Sequence, residues 1–171
     1  LLGGDCLNFG CVPSKTLIRS ARACYEAASS GRFGIEIEGN VRPDFELIMK
    51  RVRRTRAEIA INDSAQRFSR LGVDIFFGAG HLTGKNEITV GDSSLKFRKA
   101  VIATGTRPFI PDIPGLREAG FLTNETVFEL ESLPERLAII GAGPIGCELA
   151  QAFVRLGSKV TLFHKNAHIL D

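Results

Sequence analysis

Leu137-Ala138-Ile139-Ile140-Gly141-Ala142-Gly143-Pro144-Ile145-Gly146-Cys147-Glu148-Leu149-Ala150-Gln151-Ala152-Phe153 decides the fold. The first four residues form a short apolar run of the buried-strand type. Glycines at 141, 143 and 146 follow, and apolar residues then recur at helical period. Gly157 caps that helix, and Lys159–Phe163 reads as a second strand. Strand, glycine turn, helix and strand, in that order, are the context in which such a triplet binds a dinucleotide. Gly141 allows the tight turn, Gly143 lets a pyrophosphate approach the backbone, and Gly146 lets the helix pack on the strand. The helix N-terminus, opened by Pro144 and Ile145, then faces the phosphates. The unit predicts an α/β fold with a parallel, doubly wound sheet and right-handed crossovers.

The other end of the chain carries a second motif, Gly3-Gly4-Asp5-Cys6-Leu7-Asn8-Phe9-Gly10-Cys11-Val12-Pro13-Ser14-Lys15. An apolar helix pattern follows it at once, running to about Ser29 through Leu17, Ile18, Ala21, Cys24 and Tyr25. Pro13 suits a first helical turn, which places Cys11 at or next to a helix N-terminus. Peptide dipoles there stabilise a thiolate. The pair could equally be a structural disulfide, half of a zinc site or two buried apolar residues. The zinc reading is disfavoured because metal-ligand pairs usually lie closer in sequence and no second Cys or His cluster follows. A structural bridge fits poorly with a cysteine-poor chain that shows no secretory signal. Spacing alone leaves redox function open.

The flanking residues make this turn specific. It resembles the redox-active turn of the class I pyridine nucleotide–disulfide oxidoreductases, in the pattern Gly-Gly-x-Cys-x-x-x-x-Cys-x-Pro with a following lysine. Gly3, Gly4, Cys6, Gly10, Cys11, Pro13, Ser14 and Lys15 all match. The resemblance implies that electrons pass from NAD(P)H to FAD, then to a Cys6–Cys11 disulfide, then to substrate. It makes Cys6 the interchange thiol and Cys11 the thiol facing the flavin. It pairs Lys15 with Glu148 beside the flavin, as a buried ion pair. It places Ala103-Thr104-Gly105, the end of an apolar strand from Lys99, close to FAD. Gly10 and Lys15 join them as cofactor-binding positions. A partial FAD-binding domain over 1–107 and the first half of an NAD(P)-binding domain over 108–171 follow, with the boundary in the crossing marked by Pro108, Pro111 and Pro114. The resemblance further implies a homodimer and a catalytic histidine beyond Asp171, so His81, His164 and His168 are not given that role.

Substrate is not fixed by these residues. Asp5 and the run Cys-Val-Pro-Ser-Lys are most similar to mercuric-reductase-like and dihydrolipoamide-dehydrogenase-like sequences, which leaves a metal ion or a small disulfide. The coenzyme expectation is NADPH, with NADH possible. NAD enzymes of this fold place an acid at the end of the second strand for the ribose 2′-OH. His164 and Lys165 stand there instead, and a lysine favours a 2′-phosphate; Asp171, where glutathione-reductase-like sequences carry a second arginine, weakens that expectation. The chain opens in mid-motif and has one glycine fingerprint where the family has two. It therefore reads as a piece of a longer protein, inactive alone. A nucleotide- or thiol-binding module is the remaining alternative.

Composition sets bounds. The chain has 171 residues, 44% of them apolar, and a net charge of +3. That is enough apolar content for a core, and too mild a charge to argue for nucleic acid. No apolar run is long enough to span a membrane. Four cysteines without an even framework suggest a reducing, cytoplasmic setting. Cys24 and Cys147 read as small buried apolar residues. A long surface helix is expected from Asp44 to Leu71. Its cluster of Lys50, Arg51, Arg53, Arg54 and Arg56 reads as a solvated face. Short strands are expected at 73–77, 81–83, 87–90 and 94–97, an extended piece at 33–37, and a short helix at 125–130. No metal site is expected.

Overall fold

A computed structural model of the chain describes residues 1–170. A five-residue helix, α1 (Gly4–Asn8), turns into the longer α2 (Cys11–Ala28). After a 3₁₀ turn at Ser30–Phe33 come α3 (Phe45–Ala60) and α4 (Ala65–Arg70). Three antiparallel strands follow, β1 (Gly80–Gly84), β2 (Glu87–Val90) and β3 (Ser93–Lys96). A short α5 (Leu116–Ala119) and a 3₁₀ turn at Val127–Glu129 lead to β4 (Arg136–Ile140), α6 (Pro144–Leu156) and β5 (Lys159–Phe163). Strands β4 and β5 pair in parallel, from Arg136 opposite Lys159 to Ile140 opposite Phe163. Helix α6 is their crossover, as the glycine fingerprint required.

The single helix expected over 44–71 is two helices. Asp44 caps α3 by accepting from the Leu47 amide at 2.9 Å. Ser64 then caps a new helix by accepting from the Arg67 amide at 3.3 Å. Its hydroxyl also donates to the Ile61 carbonyl at 2.8 Å. Asn62-Asp63-Ser64 is a run of residues whose side chains compete for backbone hydrogen bonds, and it breaks the helix there. The strands expected at 73–77 and 99–103 do not form either. Both lack regular secondary structure, and no segment among the described residues supplies the ladder a strand needs. Val101 and Ile102 are left 91% and 77% exposed. The extended piece at 33–37 is partly 3₁₀ turn, and the helix at 125–130 shrinks to the turn at Val127–Glu129.

One apolar cluster holds the elements together. It joins Leu17 and Ala21 of α2, Phe45, Met49 and Val52 of α3, Val127 and Phe128, and Ala152, Phe153 and Leu156 of α6. The Phe45 and Phe153 rings meet with centroids 6.1 Å apart. The cluster is thus continuous across residues 107 and 108. The basic face of α3 is largely engaged within the chain. Lys50 pairs with Glu46 at 2.6 Å and Arg54 with Glu58 at 3.6 Å. Arg51 donates to the Thr16 carbonyl at 2.9 Å, and Arg56 to Glu129 at 3.0 Å. No helix is long and apolar enough to cross a membrane.

Candidate active site

The cysteine turn is built by close packing at one glycine. A Cβ on Gly10 would stand 3.0 Å from the Asp5 carbonyl oxygen and 3.3 Å from the Cys6 Cα. Only a glycine lets the start of α2 close on α1 so tightly. Phe9 donates to the Asp5 carbonyl at 2.8 Å, and Ser14 donates to the Gly10 carbonyl at 3.0 Å, opening α2. Cys11 is thereby the first residue of α2 and Cys6 lies on α1, both thiols free and exposed. They interact with each other. Hydrogen bonding to the Cys11 side chain, and then desolvation, raise the Cys6 thiol above its ordinary pKa, with Asp63 adding a smaller repulsion.

Two further contacts fix the turn. Asp5 Oδ2 accepts from the Thr106 amide at 3.3 Å and from the Thr106 hydroxyl at 3.1 Å. That contact sets the Ala103-Thr104-Gly105 loop against the cysteine turn. Arg56 donates to the Asn8 carbonyl at 3.3 Å while it holds Glu129. In the sequence Asp5 bears only on the substrate class and Arg56 only on a solvated face; neither contact is expected from it. An acid beside a cysteine has no local pattern, and Arg56 was lost among four basic neighbours.

Lys15 lies one helical turn after Cys11, and its Nζ donates to both Glu148 carboxylate oxygens, at 2.7 and 2.6 Å. The pair is exposed rather than buried, with side chains 60% and 40% accessible. It crosses from α2 to α6 at the end where the glycine turn stands. In that turn Gly141 has φ +111° and continues the parallel ladder by donating to the Phe163 carbonyl at 2.8 Å. A Cβ on Gly146 would overlap the Gly141 carbonyl oxygen, whereas nothing lies within 4 Å of one on Gly143. One glycine serves packing and the other leaves space beside the N-terminus of α6. The turn borders a cleft of about 760 Å³ whose other wall is the apolar 108–124 segment, a size typical of small-molecule sites. Space at Gly143 and a free helix N-terminus fit a dinucleotide pyrophosphate.

His164 is not directed simply outward from the strand end. Its Nδ1 accepts from the Ala142 amide at 3.3 Å, so the imidazole folds back over the turn, while Lys165 is exposed. Cys147 is half-buried and its thiol donates to the Ala142 carbonyl at 3.3 Å. Cys24 is also half-buried and packs against the core. Among the described residues no three His, Cys, Asp or Glu side chains are grouped to hold a metal ion.

The family description "Pyridine nucleotide-disulphide oxidoreductase" matches the sequence from residue 1 to residue 171. The chain belongs to this family. Among its relatives are a dihydrolipoyl dehydrogenase of Acholeplasma laidlawii, 34% identical over 99% of the chain, and a mercuric reductase of Bacillus cereus, 32% identical over 99%. The chain spans 52% of the first and 27% of the second. Its structure is similar to that of the HOCl-induced flavoprotein disulfide reductase RclA from Escherichia coli, solved as a Cu(II) complex. The TM-score is 0.80 at 26% identity, over 99% of this chain and 35% of that one. Membership places the cysteine turn and the glycine turn in one family context, that of the pyridine nucleotide-disulphide oxidoreductases.

Proposed function

We propose that the protein of which this sequence is part reduces a thiol-reactive substrate with NADPH, through FAD and a Cys6–Cys11 disulfide. The observation that carries the reading is the Lys15–Glu148 contact. It ties the helix that starts at Cys11 to the helix that starts at the glycine turn, so that the dithiol and the nucleotide turn share one frame. The flavin supplies hydride and electron transfer between nicotinamide and sulfur. The chain's own residues do the rest. Cys6 meets substrate, and Cys11, at the N-terminus of α2, holds the thiolate that faces the flavin. Lys15 and Glu148 set the charge beside it. Gly10, Ala103, Thr104 and Gly105 line the flavin side. Gly141, Gly143, Pro144, Ile145 and Gly146 hold the nucleotide pyrophosphate, and Lys165, with His164 bracing the turn, meets the 2′-phosphate of NADPH.

The substrate reading is a soft metal ion, mercuric-reductase-like. Exposed paired thiols suit such an ion, and a Cu(II) complex is known for the structurally similar reductase. The second reading, dihydrolipoamide, is favoured by the equally similar dihydrolipoyl dehydrogenase. A homodimeric cytoplasmic enzyme, divided at residues 107 and 108 into flavin and nucleotide domains, completes the proposal. It is tested on the full-length enzyme by following NADPH and NADH oxidation with Hg(II) and with lipoamide. Cys6→Ser and Cys11→Ser should each abolish turnover with both substrates while the flavin stays bound. Undiminished turnover in either variant would refute the dithiol route, and equal efficiency with NADH would refute the coenzyme choice.

A further inference from the structure

Asp5 stands immediately before Cys6, and its carboxylate reaches a segment 101 residues away in sequence. Two donors of one residue converge on one oxygen, the Thr106 amide at 3.3 Å and the Thr106 hydroxyl at 3.1 Å. Hydrogen bonds to an ionised acceptor are the stronger kind. The approach depends on Gly105. The requirement is in the backbone, whose φ is +71°; a Cβ there would meet the two Asp5 carboxylate oxygens only at ordinary contact distances of 3.5 and 3.7 Å. A glycine in the left-handed region lets the loop curl over the carboxylate and present the next amide to it. The loop is otherwise weakly held, because residues 99–105 are exposed and no strand pairs with them. The next residue, Arg107, continues the link by donating to Glu125 at 2.8 Å. A polar chain therefore runs from the cysteine turn through Thr106 to the 123–129 segment.

We propose that Asp5 is a positioning residue. Its carboxylate latches the cysteine turn to the Thr104–Thr106 loop and so fixes the place of Cys6 and Cys11 relative to whatever that loop holds. The inference rests on the dithiol reading of the previous section. It assigns to Asp5 no contact with substrate. Its effect is geometric: Asp5 lies in the first turn of the five-residue helix that carries Cys6, and Gly10 packs that helix against the start of α2. A shift of α1 therefore moves Cys6 against Cys11.

The test uses the full-length flavoenzyme and three variants. Asp5→Ala removes the latch, Asp5→Asn keeps an acceptor oxygen without the charge, and Thr106→Val removes one of the two donors. Two readouts are taken, the long-wavelength thiolate–flavin absorption of the two-electron-reduced enzyme and hydrogen exchange at the Thr106 amide. Asp5→Ala should lose at least half of that absorption and speed the exchange on the order of tenfold. Thr106→Val and Asp5→Asn should each show a smaller loss than Asp5→Ala, the second because it keeps an acceptor oxygen but not the added strength of an ionised one. Wild-type absorption and exchange in Asp5→Ala would overturn the latch. So would an Asp5→Asn enzyme as damaged as Asp5→Ala, since charge rather than position would then be the cause. If Asp5→Ala does not fold, Thr106→Val decides by the same absorption. A wild-type enzyme with no such absorption on reduction would instead refute the dithiol reading beneath it.

Discussion

Cys6 is held as a thiol by its surroundings, foremost by the hydrogen bond to Cys11 and next by desolvation. A raised pKa keeps the proton on sulfur to higher pH, so the nucleophilic thiolate appears later than in a free cysteine. The pH profile of Cys6 alkylation should therefore rise above the ordinary cysteine range. Cys11→Ala removes the main cause and should bring the profile down towards that range, read by mass spectrometry of the alkylated peptide. An unmoved profile would mean that Cys11 is not the partner. Folding is linked to the same proton. With a raised folded-state pKa, the contribution is intact below the unfolded pKa and is lost as pH climbs through the folded one. The reduced protein should thus lose stability on the alkaline side. Little of this was legible in the sequence, since spacing brings the two sulfurs near each other but does not say which one donates.

The glycine turn between β4 and α6 was legible almost residue by residue, because a strand–turn–helix–strand unit is a local pattern. Roles within it separate by substitution. Gly143 has an extended backbone with φ −72°, and a Cβ there meets nothing within 4 Å. Gly143→Ala should leave the thermal midpoint within the range of a neutral surface change, about 0.5 kcal/mol, yet weaken nicotinamide-nucleotide binding by filling the space for the phosphates. A Cβ at Gly146 overlaps a carbonyl oxygen of the turn itself. Gly146→Ala should therefore destabilise the unit by roughly 1–3 kcal/mol, the usual cost of overpacking. Calorimetry and nucleotide titration of the two variants check this, and a loss of stability in Gly143→Ala would contradict the assignment. What failed at this level were the elements that need distant partners. The runs at 73–77 and 99–103 have strand composition, but composition cannot supply a ladder. The break after Ala60 was readable in principle from Asn62-Asp63-Ser64, whose capping chemistry was outweighed by the apolar periodicity on either side.

Across the whole chain, charge and core divide the work of joining residues 1–107 to 108–170. In the sequence residues 1–107 have 17 basic and 11 acidic residues, and residues 108–171 have 5 and 8. Among the described residues the ion pairs from Lys15, Arg56 and Arg107 to Glu148, Glu129 and Glu125 all run the same way between them. Exposed pairs of this kind are screened by salt and contribute little. Phe153, fully buried in the shared cluster, matters more. Phe153→Ala should cost about 3–5 kcal/mol and lower the midpoint by roughly 6–20 °C, while salt from 0.05 to 0.5 M should move it far less; a salt effect as large as the substitution would reverse the ranking. The same cluster is too small to cover the chain's apolar surface. The accessible surface is 12654 Å², whereas a compact monomer of 18.6 kDa would have about 8,200 Å². Large apolar side chains stand in the open, among them Phe77, Phe109, Val101 and Ile102, each at least 75% exposed. Strands β4 and β5 each keep an unpaired edge among the described residues. Open edges and apolar patches favour association. This 171-residue chain should therefore bind a hydrophobic dye in its folded state and sediment as a concentration-dependent mixture. Ultracentrifugation that finds a monomer at every concentration, with no dye bound, would show that these side chains are covered in solution.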